Sequence, residues 1–99
     1  MSASLDDLAR YRELIDAIDL DLLRLLNKRT EVVEQIGRVK QALSLAIYEP
    51  KREDAVFDNV AGHNQGPLPQ EAVKRIFERI IDEMRTVQRI KILEHSPER

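Results

Sequence analysis

The chain has no cysteine and no tryptophan, and its 99 residues include only three glycines and four prolines. Without cysteine there is no disulfide, no thiol nucleophile and no thiolate metal site. Aromatic residues make up 4% of the chain, and no basic run or glycine-rich arm is present, so a nucleic-acid ligand fits poorly. No apolar stretch approaches the length that crosses a bilayer, and neither nucleic acid nor membrane is an expected partner. The first residues, Met1-Ser2-Ala3-Ser4, lack the basic and apolar regions of a signal peptide, and the expected compartment is the cytoplasm. What is present is charge of both signs. Sixteen Lys and Arg stand against eighteen Asp and Glu, a formal net charge of −2. A chain of this length makes one domain, residues 1–99, with a core too modest to bury a long helix by itself. Oligomerisation is therefore expected.

Glycine and proline sit where the chain should turn. Ser4 followed by Asp7 reads as an N-cap with a carboxylate at the third helical position. A helix is expected from about Leu5 to about Leu43, roughly 58 Å long. Gly37 does not follow the last periodic residue of that helix and reads as a packing contact rather than a stop. After a connector at 44–48, Pro50 opens a second helix that ends near His63. The stretch Asn64-Gln65-Gly66-Pro67-Leu68-Pro69 is the clear break. A third helix is expected from about Pro69 to Leu93, before Ser96-Pro97, with an apolar face of Val73, Ile76, Phe77, Ile80, Ile81, Met84 and Val87. There is no strand signal. The class is all-α, with three helices in the order long, short, medium.

The first helix carries two apolar rows at heptad spacing. One is Leu8, Ile15, Leu22, Arg29, Ile36 and Leu43; the other is Tyr11, Ile18, Leu25, Val32 and Val39. Arg29 is the guanidinium in the first row, and a cation in an apolar seam calls for an anion. Side chains on a helix meet at i±3 and i±4. Those neighbours of Arg29 are Leu25, Leu26, Val32 and Val33; those of Lys40 are Ile36, Gly37, Leu43 and Ser44. The other bases of the helix have local acids: Arg10 has Asp6, Asp7 and Glu13, Arg24 has Asp21, Lys28 has Glu31, and Arg38 has Glu34. For Arg29 and Lys40 the counter-charge has to come from another segment, a partner helix or a ligand. Eleven residues separate them, within roughly 20° of one direction and about 16 Å along the axis. A small anionic molecule fits that spacing, and so does a protein carboxylate.

Elsewhere the residues read less sharply. Arg12 lies about 25 Å before Arg29 on the helix and has Asp16 as a local partner, so within one chain it reads as a surface arginine. Gln88 falls on the face of Phe77, Ile81 and Met84, where a primary amide must satisfy two donors and an acceptor. In Glu49-Pro50-Lys51-Arg52-Glu53, the acids suit a helix N-terminus and Arg52 does not. Glu53 has no base at i±3 or i±4. His63 and His95 are assigned no role. No nucleophile with a matched base and no cluster with metal spacing is found.

Taken together, these stretches resemble a known family. Arg12-Glu13-Leu14-Ile15-Asp16-Ala17-Ile18-Asp19, Leu22 through Arg29, Ile36-Gly37-Arg38-Val39-Lys40, Glu49 through Glu53, and Ile76-Phe77 through Ile80-Ile81 to Gln88 are similar in order and spacing to the all-helical chorismate mutases. The resemblance covers about residues 5 to 92. It implies an intertwined homodimer in which each active site receives one arginine from the long helix of the other subunit. By that analogy Arg12 enters the neighbouring site, while Arg29, Lys40, Arg52, Glu53 and Gln88 serve their own. Two positions depart from the family pattern. Met84 stands where a small polar residue, commonly serine, is usual, and Glu49 where aspartate is common.

The implied reaction is the Claisen rearrangement of chorismate to prephenate, in phenylalanine and tyrosine biosynthesis. It uses no nucleophile, metal or cofactor. Arg12 of the partner, Arg29 and Arg52 would hold the two carboxylates of the substrate. Lys40 and Gln88 would donate to the ether oxygen. Glu53 would accept from the ring hydroxyl, with Glu49 nearby. Two other readings are open: an isochorismate pyruvate lyase on the same scaffold, and a non-catalytic helical dimerisation or regulatory module. The module's signature would be Arg29 and Lys40 paired to protein carboxylates with no cavity between them.

Overall fold

A computed structural model describes residues 2–95; Met1 and the Ser96-Pro97 stop signal lie outside them. Three helices follow one another: α1 (Leu5–Ala42), α2 (Pro50–His63) and α3 (Gln70–His95). No strand occurs among the described residues. The chain divides into two units, Met1–Val32 and Val33–Arg99.

The first unit is the long N-terminal arm of α1. It opens on a reciprocal cap. The Asp7 backbone N–H donates to Ser4 Oγ at 3.1 Å, and the Ser4 N–H donates to Asp7 Oδ2 at 3.2 Å. Two orphan donors of the first turn are thereby satisfied. Asp7 also pairs with Arg10 at 3.2 Å, one of the local pairs expected from spacing. The apolar rows of this arm face water in the single chain: Ile15 is 55% exposed, Ile18 52% and Leu22 53%.

The second unit comprises the last turns of α1 with α2 and α3. α2 packs on α3. Its face of Val56, Phe57, Val60 and Ala61 is half-buried, and Val73, Ile81 and Met84 of α3 are the buried apolar residues. Ile76, placed on the apolar face by its spacing, is instead exposed. The helices are long relative to what one chain can cover, so the core is thin.

Two turns set the site's framework. α1 ends without a glycine. Ser44 takes the left-handed conformation (φ 59°), the Ser44 N–H bonds to the Gln41 carbonyl at 3.2 Å, and the Leu45 N–H reaches the Lys40 carbonyl at 2.7 Å. That pattern of bonds is a Schellman motif, with serine at the position glycine usually fills. The chain therefore turns back beside Lys40. Between α2 and α3, Gly66 is in the left-handed region (φ 73°) and precedes a cis proline, Pro67. Asn64 holds this turn through its side-chain amide, which donates to the Leu68 carbonyl at 2.8 Å and to Gln70 Oε1 at 2.9 Å.

Candidate active site

The second unit buries two polar side chains, Lys40 at 8% exposure and Gln88 at 7%. They come from different helices, and Gln88 packs against Gly37. A methyl group on Gly37 would stand 3.5 Å from Gln88 Cγ, so α1 and α3 approach closely there. Gly37 precedes Lys40 by one helical turn on the same face of α1. The expectation that Gly37 is a packing contact is met, and what it packs against is the glutamine singled out from α3.

Lys40 finds its counter-charge in the turn that the Schellman motif makes. Its Nζ donates to the Ile47 carbonyl at 2.8 Å and pairs with Glu49 Oε1 at 2.7 Å. An ammonium has three N–H bonds in tetrahedral directions. Two are taken by the chain, so the direction of the third is set by the other two. Glu49 is half-exposed, which weakens the bridge through solvent screening. The bridge orients Lys40 more than it stabilises the fold.

Gln88 is held in a similar way. Its Nε2 donates to the Val33 carbonyl at 3.3 Å, leaving one amide N–H and the oxygen. On its other side a shallow recess is lined by Glu34, Gly37, Arg38, Gln41, Lys91 and Ile92. Lys91 bridges Glu34 and Glu94 at 3.6 Å each. Glu34, expected to serve Arg38, is engaged by Lys91 from α3. Met84 is buried one turn before Gln88. It puts a thioether where a hydroxyl was considered.

Glu53, which had no local base, has a distant one. Arg85 Nη2 donates to Glu53 Oε2 at 2.6 Å, across 32 residues of sequence. The same guanidinium approaches Asp82 at 3.4 Å and lies 5.2 Å from the centroid of the Tyr48 ring. Its pKa is raised above the usual guanidinium value, first by the hydrogen bond with Glu53, so it stays charged. Sequence reasoning missed Arg85 because Asp82 at i−3 offers it a local acid, although it flanks the buried face at i+4 from Ile81 and i−3 from Gln88. The isolated carboxylate of Glu53 was the signal that a base had to come from elsewhere.

Arg52 and Glu49 are exposed at the start of α2. Arg12 and Arg29 belong to the first unit, Arg12 exposed and Arg29 half-buried. Among the described residues no group of His, Asp or Glu could hold a metal ion, and no helix is long and apolar enough to cross a membrane.

The family model of chorismate mutase type II matches residues 11–89. The bifunctional chorismate mutase/prephenate dehydratase of Neisseria gonorrhoeae is 41% identical over 90 residues, which is 90% of this chain and 24% of that protein. The corresponding protein of Aquifex aeolicus is 37% identical over 81 residues, 78% of this chain and 22% of the relative. The chain thus spans about a quarter of the length of these curated relatives. Among solved structures, chorismate mutase from Helicobacter pylori in complex with prephenate superposes with a TM-score of 0.82 at 30% identity, covering 88% of this chain and 94% of that one. A chorismate mutase from Thermus thermophilus gives 0.81 at 28% identity over 92% and 98% of the two chains. With the family model spanning residues 11–89 and the fold shared with solved members, the chain belongs to the type II chorismate mutase family.

Proposed function

We propose that this chain converts chorismate to prephenate in aromatic amino acid biosynthesis, as a cytoplasmic homodimer without a cofactor. The observation that carries the reading is the pair of buried donors, Lys40 and Gln88. Each is held by the chain with one N–H left to give. The reaction is a concerted shift in which the breaking ether oxygen gains negative charge. Two fixed donors aimed at that oxygen help most where the charge develops, and cost no reorganisation at that moment.

Guanidinium groups do the holding. Arg29, Arg52 and Arg12 of a second copy bind the two carboxylates, since a planar fork matches a carboxylate. Clamping both ends restricts the enolpyruvyl side chain to a chair-like reactive geometry. Glu53 accepts from the ring hydroxyl through the oxygen that Arg85 leaves open, and Glu49 holds Lys40 beside it. Buried Met84 gives an apolar wall in place of the polar contact common in the family. A millionfold acceleration requires about 8 kcal/mol, to be shared between clamping and the two donors.

The exposed seam of α1 supports the dimer. A helix with two apolar rows left in water gains by packing on another copy of itself, at about 1.5–3 kcal/mol for each large side chain fully covered. The N-terminal arm would then carry Arg12 into the neighbouring site. The Lys40–Glu49 bridge meets part of the signature of a non-catalytic module, in which the protein neutralises its own cations. The open third N–H of Lys40 and the family membership favour catalysis.

Incubation with chorismate and, separately, with isochorismate tests the reading. Prephenate from chorismate is the expected product. Pyruvate from isochorismate with no prephenate from chorismate would make the chain a lyase, and neither product would leave the module. A mixture of Arg12→Ala and Lys40→Ala chains tests the shared site. Random reassociation restores about a quarter of the sites if each is built from two chains, and none if each chain makes its own.

A further inference from the structure

Arg85 makes a short charged contact to a residue of the site, yet no role was assigned to it from the sequence. Its guanidinium bonds to Glu53 at 2.6 Å, with both side chains only about a fifth exposed. It is fixed on two further sides, by Asp82 at 3.4 Å and by the Tyr48 ring at 5.2 Å. Glu53 Oε2 is the oxygen it takes, and Oε1 is not part of that bond.

From this geometry we infer that Arg85 is a positioning residue for substrate binding. It locks the Glu53 carboxylate with Oε1 free for a hydroxyl donor, and it offsets the charge that Glu53 would otherwise turn on a dianionic substrate. The inference rests on the reading of Glu53 as the acceptor for the substrate hydroxyl.

Three observations carry it. First, the pair spans from α3 to the first turn of α2, so it fixes Glu53 relative to Met84 and Gln88 on the same α3. A glutamate side chain held at one oxygen by a guanidinium loses most of its rotamer freedom before substrate arrives. Second, the pair is a poor device for stability alone. Arg85 Nε is buried with no hydrogen-bond partner among the described residues, which carries a desolvation cost. An apolar pair would hold α2 on α3 without that orphan donor. Third, the pattern repeats. The two acids that flank the start of α2 are each matched to a base from another helix, Glu49 to Lys40 of α1 and Glu53 to Arg85 of α3. Two uncompensated carboxylates at the mouth of a site for a dianion would repel it.

The test is a double-mutant cycle on kcat/KM with Arg85→Met and Glu53→Gln, with thermal unfolding followed in parallel. Arg85→Met keeps the bulk and removes the charge. We expect kcat/KM for chorismate to fall about tenfold to a hundredfold, mainly through KM, with the melting temperature lowered because Glu53 loses its counter-charge, and lowered less in the Glu53→Gln background. Arg85→Lys should recover more than half of the loss on a logarithmic scale. In the Glu53→Gln background Arg85→Met should cost about threefold or less, because the group it positions is gone. A wild-type KM in Arg85→Met, or the same factor in both backgrounds, overturns the inference. If Arg85→Met does not fold, Arg85→Gln takes its place in the same cycle. Failure of the wild-type chain to turn over chorismate would instead remove the functional reading on which the cycle depends.

Discussion

The two ends of α1 contrast sharply. From Leu5 to Val32 the helix offers apolar rows to water and pairs Asp7 with its near neighbour Arg10. From Val33 to Ala42 the same helix buries a glycine and a lysine against the rest of the second unit. Nothing in helix propensity separates these halves, because both are continuous, well-formed helix. The difference is tertiary cover. Where α3 lies against α1, a polar group can be buried and satisfied; where no segment covers the stripe, apolar side chains stay wet. The stripe is regular over the whole length but covered over only part of it, and the proposed second copy is what would cover the rest.

That comparison can be broken at several points. The largest effect is expected from Leu22→Asp. A carboxylate in the middle of the seam should dissociate the assembly and abolish turnover, since burying it unpaired costs several kcal/mol. Sedimentation or mass photometry with an activity assay reads this out, and an active assembly unaltered in mass would show that the seam is not an interface.

Lys40→Ala comes next. It removes one of the two buried donors and should lower kcat/KM by about 10²–10³. It also frees Glu49 and the Ile47 carbonyl, so the melting temperature should fall modestly. A loss of stability with wild-type turnover would make Lys40 a structural bolt for the connector. Gln88→Glu should have a smaller, conditional effect. A carboxyl group donates only when protonated, so activity should be lost at neutral pH and return toward acid pH. A pH profile parallel to wild type would move Gln88 away from the reacting oxygen.

The smallest effect is expected at the turn that creates the contrast. Ser44 sits at a positive φ where glycine has no steric penalty. Ser44→Gly should stabilise the second unit by about 0.5–1 kcal/mol, with turnover preserved. A calorimetric decrease would mean that the serine conformation is held by something other than the Schellman motif.

Much of this was legible in the residues. The all-α class, the N-cap at Ser4 and Asp7, the opening of α2 at Pro50 and the packing role of Gly37 all follow from local rules whose partners lie within a turn. So did the need of Lys40 for a counter-charge from outside its own helix. The end of α1 was harder to read, because the cap uses serine where the usual signal is glycine. Arg85 was hardest. Its partner is 32 residues away in sequence, and Asp82 at i−3 already offers it a local acid.

The sequence by itself determined three helices, an apolar seam longer than one chain can cover, and a set of bases with no acid at helical spacing. Those are consequences of periodicity and nearest neighbours, which a linear chain encodes directly. The tertiary structure decided which acid meets which base, Glu49 with Lys40 and Glu53 with Arg85, and which donors are left over. A salt bridge between helices depends on how far each helix has turned and where the connector returns, and those are set by packing.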